Sequence, residues 1–295
     1  MPHTPAQISS YTTLACLLEA GAPKPGNVAP GQPFRDMSYE DFVASAVAAG
    51  PELGLAGTRP LGETIFEAVR ATHQWTPANT NLGIILLLAP LARAASLPEK
   101  PGTVLRDRLR EVLRATTIQD ARDSYLAILL AAPGGLGSEA DQDLAQTPTI
   151  TLVDTMALAA HRDSVASEYV TEFALTFEIA VPVLRQARAD GLSWPDAVVE
   201  TFLTLLAERP DTLIARKLGP AVARGVSHQA DRVRQAGGVR CDIGRAALAT
   251  FDADLRDTQN SQNPGTTADL TAAALFALLV EDGWVPDRMR SDSAE

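Results

Sequence analysis

The sequence predicts an all-α protein, and three observations carry that expectation. Apolar residues recur at helical spacing from one end to the other, with no run of strand-like alternation. Aromatic residues make up only 5% of the chain within an apolar content of 46%. The core must therefore come from Leu, Ala, Val and Ile, a mixture that suits packed helices better than a β-sandwich. Helix start and stop signals also punctuate the periodic segments.

Taken in order, the first helix spans Ile8 to Ala20 and stops at Gly21-Ala22-Pro23. The second starts at Ser38, with Asp41 three residues on as in a capping box, and continues through Phe42, Val43 and Val47. Gly62–Thr72 is the third; Thr80–Ala95 is the fourth and is expected to bend at Pro90. Thr103–Arg114 and Thr117–Ala132 form an expected helical hairpin. Pro133-Gly134-Gly135-Leu136-Gly137-Ser138 breaks the pattern, and Thr147-Pro148 closes that loop. Helices resume at Thr151–His161 and Ser164–Ala189, the latter interrupted near Pro182. Ser193-Trp194-Pro195-Asp196 is a helix start with Ser as cap and Pro in the first turn. Further helices follow over Asp211–Lys217, Pro220–Gln235, Asp242–Arg256 and Thr267–Glu281, and the last dozen residues read as a frayed acidic tail.

With 295 residues and no repeat or composition shift, the expectation is one all-α domain over residues 1–285 and an acidic tail over 286–295. A net charge of −11 argues against nucleic acid or an anionic membrane as partner. Such a chain binds a phosphorylated ligand only through a local basic cluster, divalent cations, or both. Cys16 and Cys241 are too few and too far apart for a disulfide framework, so they are expected reduced and packed. No charged segment followed by an apolar one opens the chain, and the most apolar run, Ile84 to Leu91, is too short to span a bilayer. A cytoplasmic protein is expected. A homodimer suits a helix-rich surface, although no interface is legible.

Three polar segments stand at the mouths of apolar helices: Lys24-Pro25-Gly26-Asn27, Asn79-Thr80-Asn81-Leu82-Gly83 and Asn263-Pro264-Gly265-Thr266-Thr267-Ala268-Asp269. Unpaired N–H groups and the positive dipole end favour anions at helix N-termini. Converging, these segments would form a pocket for phosphates and their metal. Gly135-Leu136-Gly137-Ser138-Glu139-Ala140 matches G-x-G-x-x-A, but no strand precedes it, so the dinucleotide reading fails. The four histidines are scattered and expected at the surface. Asp36, Asp154, Asp163, Glu168, Asp211 and Asp269 lie near helix ends or basic residues, and Glu168 and Glu172, one turn apart, are placed to share a metal. Lys24, Arg35, Arg162, Arg216 and Lys217 are the candidate phosphate partners.

The order of these segments resembles one known family. Glu19 with Lys24-Pro25-Gly26-Asn27-Val28, then Arg35-Asp36-Met37, then Phe42 and Ser45, resembles the opening signature of the triphosphoribosyl-dephospho-CoA synthase family. Asn79-Thr80-Asn81-Leu82-Gly83 is similar to its Asn-Thr-x-x-Gly motif. Arg162-Asp163 with Glu168-Tyr169, a block from Asp211-Thr212, and Asn263 through Leu270 follow in the family's order. The chain differs in having Asn81-Leu82 where type members carry His-Lys, Phe34 where they carry His, and Leu213 where they carry Asn.

The resemblance implies an all-α cytoplasmic transferase. Its activity would join the ribose of ATP to a hydroxyl of dephospho-CoA, with release of adenine and dependence on magnesium (Mg²⁺). On that basis Lys24, Arg35, Arg216 and Thr266, with the backbone N–H groups near Gly26 and Gly265, are expected to hold phosphate. Asp36, Asp211 and Asp269 are expected at Mg²⁺. Glu168 is the expected general base beside Asp163, and Asn79 and Asn81 are expected to orient the ribose hydroxyls. Two alternatives stand beside this. One keeps α-ribosyl transfer with another donor and a methanopterin-type precursor as acceptor. The other is a non-catalytic nucleotide-binding protein, against which the retention of Glu168, Asp211 and Asp269 together counts.

Overall fold

The structure, a computed structural model, describes residues 2–131 and 147–287. The segment around Gly135 and the tail beyond Asp287 lie outside the described residues. Among the described residues there are fourteen α-helices and no strand, as expected from the periodicity. They are α1 (Pro5–Gly21), α2 (Tyr39–Gly54), α3 (Leu61–His73), α4 (Leu82–Ser96), α5 (Leu105–Arg114), α6 (Ile118–Ala131) and α7 (Leu152–Ala159). The second half holds α8 (Ser164–Thr171), α9 (Val181–Ala189), α10 (Trp194–Glu208), α11 (Thr212–Leu218), α12 (Pro220–Gln235), α13 (Asp242–Leu255) and α14 (Gly265–Asp282). Among the described residues no helix is long and apolar enough to cross a membrane.

The caps set the boundaries. Thr4 closes a full capping box with Gln7 at the start of α1. Asp41 accepts from the Ser38 N–H at 2.8 Å ahead of α2. Ser193 accepts from Asp196 N–H at the start of α10, with Pro195 in the first turn, where its missing N–H costs nothing. Helices α4 and α14 are buried nearly all round and pack on each other, the pattern of elements enclosed by the rest of the fold. Helix α1 packs on both, α2 and α3 continue the layer on one side, and α9 and α10 close the other.

Four expectations need correction. The long helix from Ser164 does not break at Pro182, which sits at the start of α9 where no N–H is required. It breaks at Glu172 and Phe173, both left-handed (φ 56° and 59°), and continues as a π-helical turn over Leu175–Ala180. Helices α5 and α6 form no hairpin pair: α5 packs on α4, and α6 on α3 and α7. Of the two cysteines, both free, only Cys16 is buried; Cys241 is exposed and caps α13. The start of the tail is docked: Trp284 stacks on Trp194 with ring centres 5.0 Å apart, Val285 O accepts from Trp194 Nε1 at 3.0 Å, and Asp287 pairs with Arg188 at 2.6 Å.

Candidate active site

A cavity of about 920 Å³ opens among the N-terminal ends of α4, α8, α11 and α14. Of the residues proposed from sequence, Asn79, Asn81, Arg162, Asp163, Arg216, Gly265, Thr266 and Asp269 line it, whereas Asp154 and Lys217 do not. Asn79 and Asp269, 190 residues apart in the chain, thus line one cavity.

The N-termini are held together by side chains from one another's caps. Asp163 caps α8, its Oδ1 accepting from Val165 N–H at 2.8 Å and Ala166 N–H at 3.2 Å. Asp211 caps α11 in the same way with Leu213 and Ile214. Thr212 Oγ1 accepts from Ser164 N–H at 3.2 Å and donates to Thr266 Oγ1 at 3.2 Å, which ties α8, α11 and α14 in one chain of bonds. Across the cavity Asn79 Oδ1 accepts from Leu82 N–H at 3.2 Å, and Asn81 Nδ2 donates to Thr72 Oγ1 at 3.2 Å. No bond to a described residue uses the Asn81 Oδ1 acceptor or the Asn79 Nδ2 donor, and both residues line the cavity.

Several proposed residues turn out to build the site without facing it. Lys24 is 1% exposed, and its ammonium is spent on the Glu19 carboxylate at 2.9 Å, on Glu19 O and on Ala22 O at 3.3 Å. It neutralises Glu19, which does line the cavity. The Gly26 N–H donates to Asp252 Oδ1 at 2.8 Å, and the Gly265 N–H to Asn263 O at 2.9 Å, so neither is available to phosphate. Gly26 is glycine because its φ is +71° and a Cβ would meet Leu255 at 2.9 Å. Arg35 and Asp36 are exposed and do not line the cavity.

Glu168 is fully buried away from the cavity. Its carboxylate accepts from Leu175 N–H at 2.9 Å, Thr176 N–H at 3.0 Å and Thr176 Oγ1 at 2.6 Å, pinning the π-helical turn. Burial pushes its carboxyl up while those bonds pull it down. Every described bond of its carboxylate goes to the π-helical turn and it does not line the cavity, so its place in the fold is that of a structural carboxylate and not the one expected of a general base. Nor does it share a metal with Glu172, which pairs with Arg110 at 2.5 Å on the surface.

The metal triad does not form either. Asp211 is 2% exposed and its second oxygen accepts from Thr267 N–H at 2.8 Å and Thr267 Oγ1 at 2.7 Å, so its acceptor capacity is filled. Among the described residues no three His, Cys, Asp or Glu side chains stand close enough to hold an ion by themselves. Two of the three carboxylates that set the chain apart from a simple binder on sequence are therefore structural, and Asp269 alone keeps that distinction.

Asp269 has no hydrogen-bond partner among the described residues and faces the cavity. Burial first, then the fields of Glu19, Asp211 and Asp163, hold its carboxyl well above the usual carboxylate range; Arg216 pulls the other way. The cavity is otherwise basic. Arg162, Arg209, Arg216 and Arg224 line it against Glu19, Asp163 and Asp269, four positive side chains to three negative in a chain of net charge −11. Arg216 approaches Asp163 at 3.8 Å, and Arg209 and Arg224 form no ion pair with a described residue. Tyr125, Ile128, Leu152 and Met156 contribute apolar lining to the same cavity.

Sequence reasoning missed Arg209, Arg224 and the placement of Glu19. Arg224 follows Arg216 across Gly219 (φ 90°), which separates α11 from α12, so linear spacing gives no sign that the two share a wall. Arg209 precedes Pro210 and the Asp211 cap, and only the position of that cap could have drawn attention to it.

Residues 5–287 match the family model described as ATP:dephospho-CoA triphosphoribosyl transferase. The chain is 37% identical over 98 residues to 2-(5''-triphosphoribosyl)-3'-dephosphocoenzyme-A synthase of Klebsiella pneumoniae, covering 33% of this chain and 34% of that protein. It is 29% identical over 250 residues to a provisionally named synthase of the same kind from Pseudomonas fluorescens, covering 83% and 76%. The match thus spans about a third of the first relative's length and three quarters of the second's. A solved structure from Archaeoglobus fulgidus, provisionally named a triphosphoribosyl-dephospho-CoA synthase, superposes with a TM-score of 0.62 at 27% identity, over 82% of this chain and all of that one.

Proposed function

From the chain's membership of the ATP:dephospho-CoA triphosphoribosyl transferase family, we propose that it transfers the triphosphoribosyl unit of ATP to a hydroxyl of dephospho-CoA, releasing adenine. The observation that carries this reading is the four arginines that line the cavity of an otherwise acidic protein, together with Asp269, whose carboxylate takes no hydrogen bond from a described residue. The cavity volume of about 920 Å³ lies at the upper end of the range for small-molecule sites and accommodates a nucleotide.

In this reading Arg209, Arg216 and Arg224 hold the triphosphate by charge-assisted hydrogen bonds. The backbone N–H groups of Gly26 and Gly265 are already bonded within the protein, so guanidinium groups take over the task assigned to them from sequence. Asn79 and Asn81 orient the ribose hydroxyls through the donor and acceptor they leave free. The C1'–N9 bond of ATP breaks with its electron pair leaving on adenine, which is protonated from solvent. The acceptor oxygen bonds to C1' as oxocarbenium character develops there, and its proton passes to Asp269. A carboxyl whose proton affinity is raised by burial and by neighbouring carboxylates suits that task.

Mg²⁺ fits as an ion carried by the phosphates and met by one carboxylate, since such ions are held by one or two carboxylates plus substrate phosphates. Asp163 is that carboxylate: its Oδ1 caps α8, while its Oδ2 faces Arg216. Bound there, the ion would offset phosphate charge. The reaction belongs in the cytoplasm, where ATP is abundant.

The test is adenine release from Mg²⁺-ATP with and without dephospho-CoA, followed by mass spectrometry of the product. Acceptor-dependent adenine with a coupled product is expected. Nucleotide binding without adenine release would assign the pocket to another donor or acceptor, and the absence of both would overturn the reading.

A further inference from the structure

Gly83 is the second residue of α4, it is helical, and it carries no turn or positive φ that would call for glycine. Glycine there is a local loss, since alanine is the better helix former. What the position lacks is room. A Cβ on Gly83 would stand 2.1 Å from Asp269 Oδ2, 2.5 Å from its Cγ and 3.0 Å from Oδ1. The obstruction is the whole carboxylate of the one cavity carboxyl without a hydrogen-bond partner, brought in from α14. Asp269 stands at the first turns of its own helix, where a short side chain on a packed backbone has few ways to yield.

We infer that Gly83 is a positioning residue for the reaction: its missing side chain lets the Asp269 carboxylate lie flat against the start of α4. Asp269 takes no hydrogen bond from any described residue that would otherwise fix it, so steric contact with α4 is what sets its place. Asn81, two residues before Gly83, faces the same cavity. One helix start thus sets both the ribose-facing amide and the seat of the carboxylate. The steric part of this inference stands on the contact alone, and the catalytic part rests on the proposed role of Asp269.

The test is a cycle of Gly83→Ala and Asp269→Ala on the full chain, read by thermal melting and by steady-state kinetics. In the wild-type background Gly83→Ala is expected to lower Tm despite the helical preference for alanine. In the Asp269→Ala background the same change is expected to raise Tm, because the obstruction is gone. If Gly83→Ala alone does not fold, recovery of a folded double variant reads the same contact. The same sign in both backgrounds, or a double variant no better than Gly83→Ala, would overturn the inference. In kinetics, Gly83→Ala is expected to lower kcat about a hundredfold with KM for ATP nearly unchanged, the scale of a misplaced reacting group. It is expected to cost nothing further once Asp269 is replaced. Wild-type kcat in Gly83→Ala would remove the positioning role. Full activity in Asp269→Ala would instead overturn the proposed function of Asp269 and leave the melting cycle to judge the contact.

Discussion

Asp211 and Thr267 lock two helix starts together: the carboxylate that caps α11 through one oxygen accepts both the N–H and the hydroxyl of Thr267 at the start of α14 through the other. The arrangement fixes the angle at which Thr266 and Asp269 meet the cavity. Asp211→Asn keeps the α11 cap but turns an amide N–H toward the Thr267 N–H. It should cost about 2 kcal/mol of folding free energy, the scale of an unsatisfied buried donor. Urea denaturation checks this; unchanged stability with lost turnover would return Asp211 to the chemistry.

Asp269→Asn should abolish turnover and stabilise the fold. The folded-state carboxyl is raised by burial and by Glu19, Asp211 and Asp163. Its contribution to stability is therefore complete below the unfolded value and is lost as pH rises through the folded one. The neutral amide escapes that loss. The Tm of the variant should exceed wild type at about pH 8, and the gap should close toward about pH 4. Melts across that range decide it, and an inactive variant with wild-type Tm at every pH would remove the electrostatic account.

Arg216→Ala and Arg224→Ala should each raise KM for Mg²⁺-ATP about tenfold or more, since a hydrogen bond to a charged group is worth ~1.5–3 kcal/mol. Added salt should reduce the difference between wild type and variant. Equal KM values in initial-rate assays would place the triphosphate elsewhere in the cavity.

Lys24→Met leaves Glu19 buried without its cation. The expected cost is about 3–5 kcal/mol, and Lys24→Met with Glu19→Gln should recover most of it. A raised ATP requirement at unchanged stability would restore Lys24 to the phosphates.

Most of the helices were legible because they carry their own punctuation. Ser38 and Ser193 sit as caps where the start signals place them, and Asp163 and Asp211, read from sequence as lying near helix ends, cap α8 and α11. The break at Glu172 was not legible, because it depends on Glu168 reaching forward to the N–H groups of Leu175 and Thr176, a contact with no periodicity. The Asn79 and Asp269 segments, both placed by sequence at helix mouths, line one cavity, as that placement suggested. The division of labour within them was not legible. A lysine between two prolines and a glycine reads as an exposed loop residue, yet Lys24 is buried because its partner Glu19 ends the preceding helix. Capping carboxylates such as Asp211 and metal-binding ones have the same sequence appearance; only the filling of their lone pairs separates them.

The docked start of the tail has a consequence for spectroscopy. The chain has three tryptophans, and none of them lines the cavity. Trp75 is 66% exposed, while Trp194 and Trp284 are stacked, with the Arg188 guanidinium 4.2 Å over the Trp194 ring. Intrinsic fluorescence should therefore be a two-colour signal, with a red-shifted solvent component and a quenched component from the stacked pair. The second reports whether the C-terminal strap is seated. Ligand titrations followed by this emission should be nearly silent, and a nucleotide that changes it would reveal that occupancy of the cavity is felt on the far side of α10 and α14.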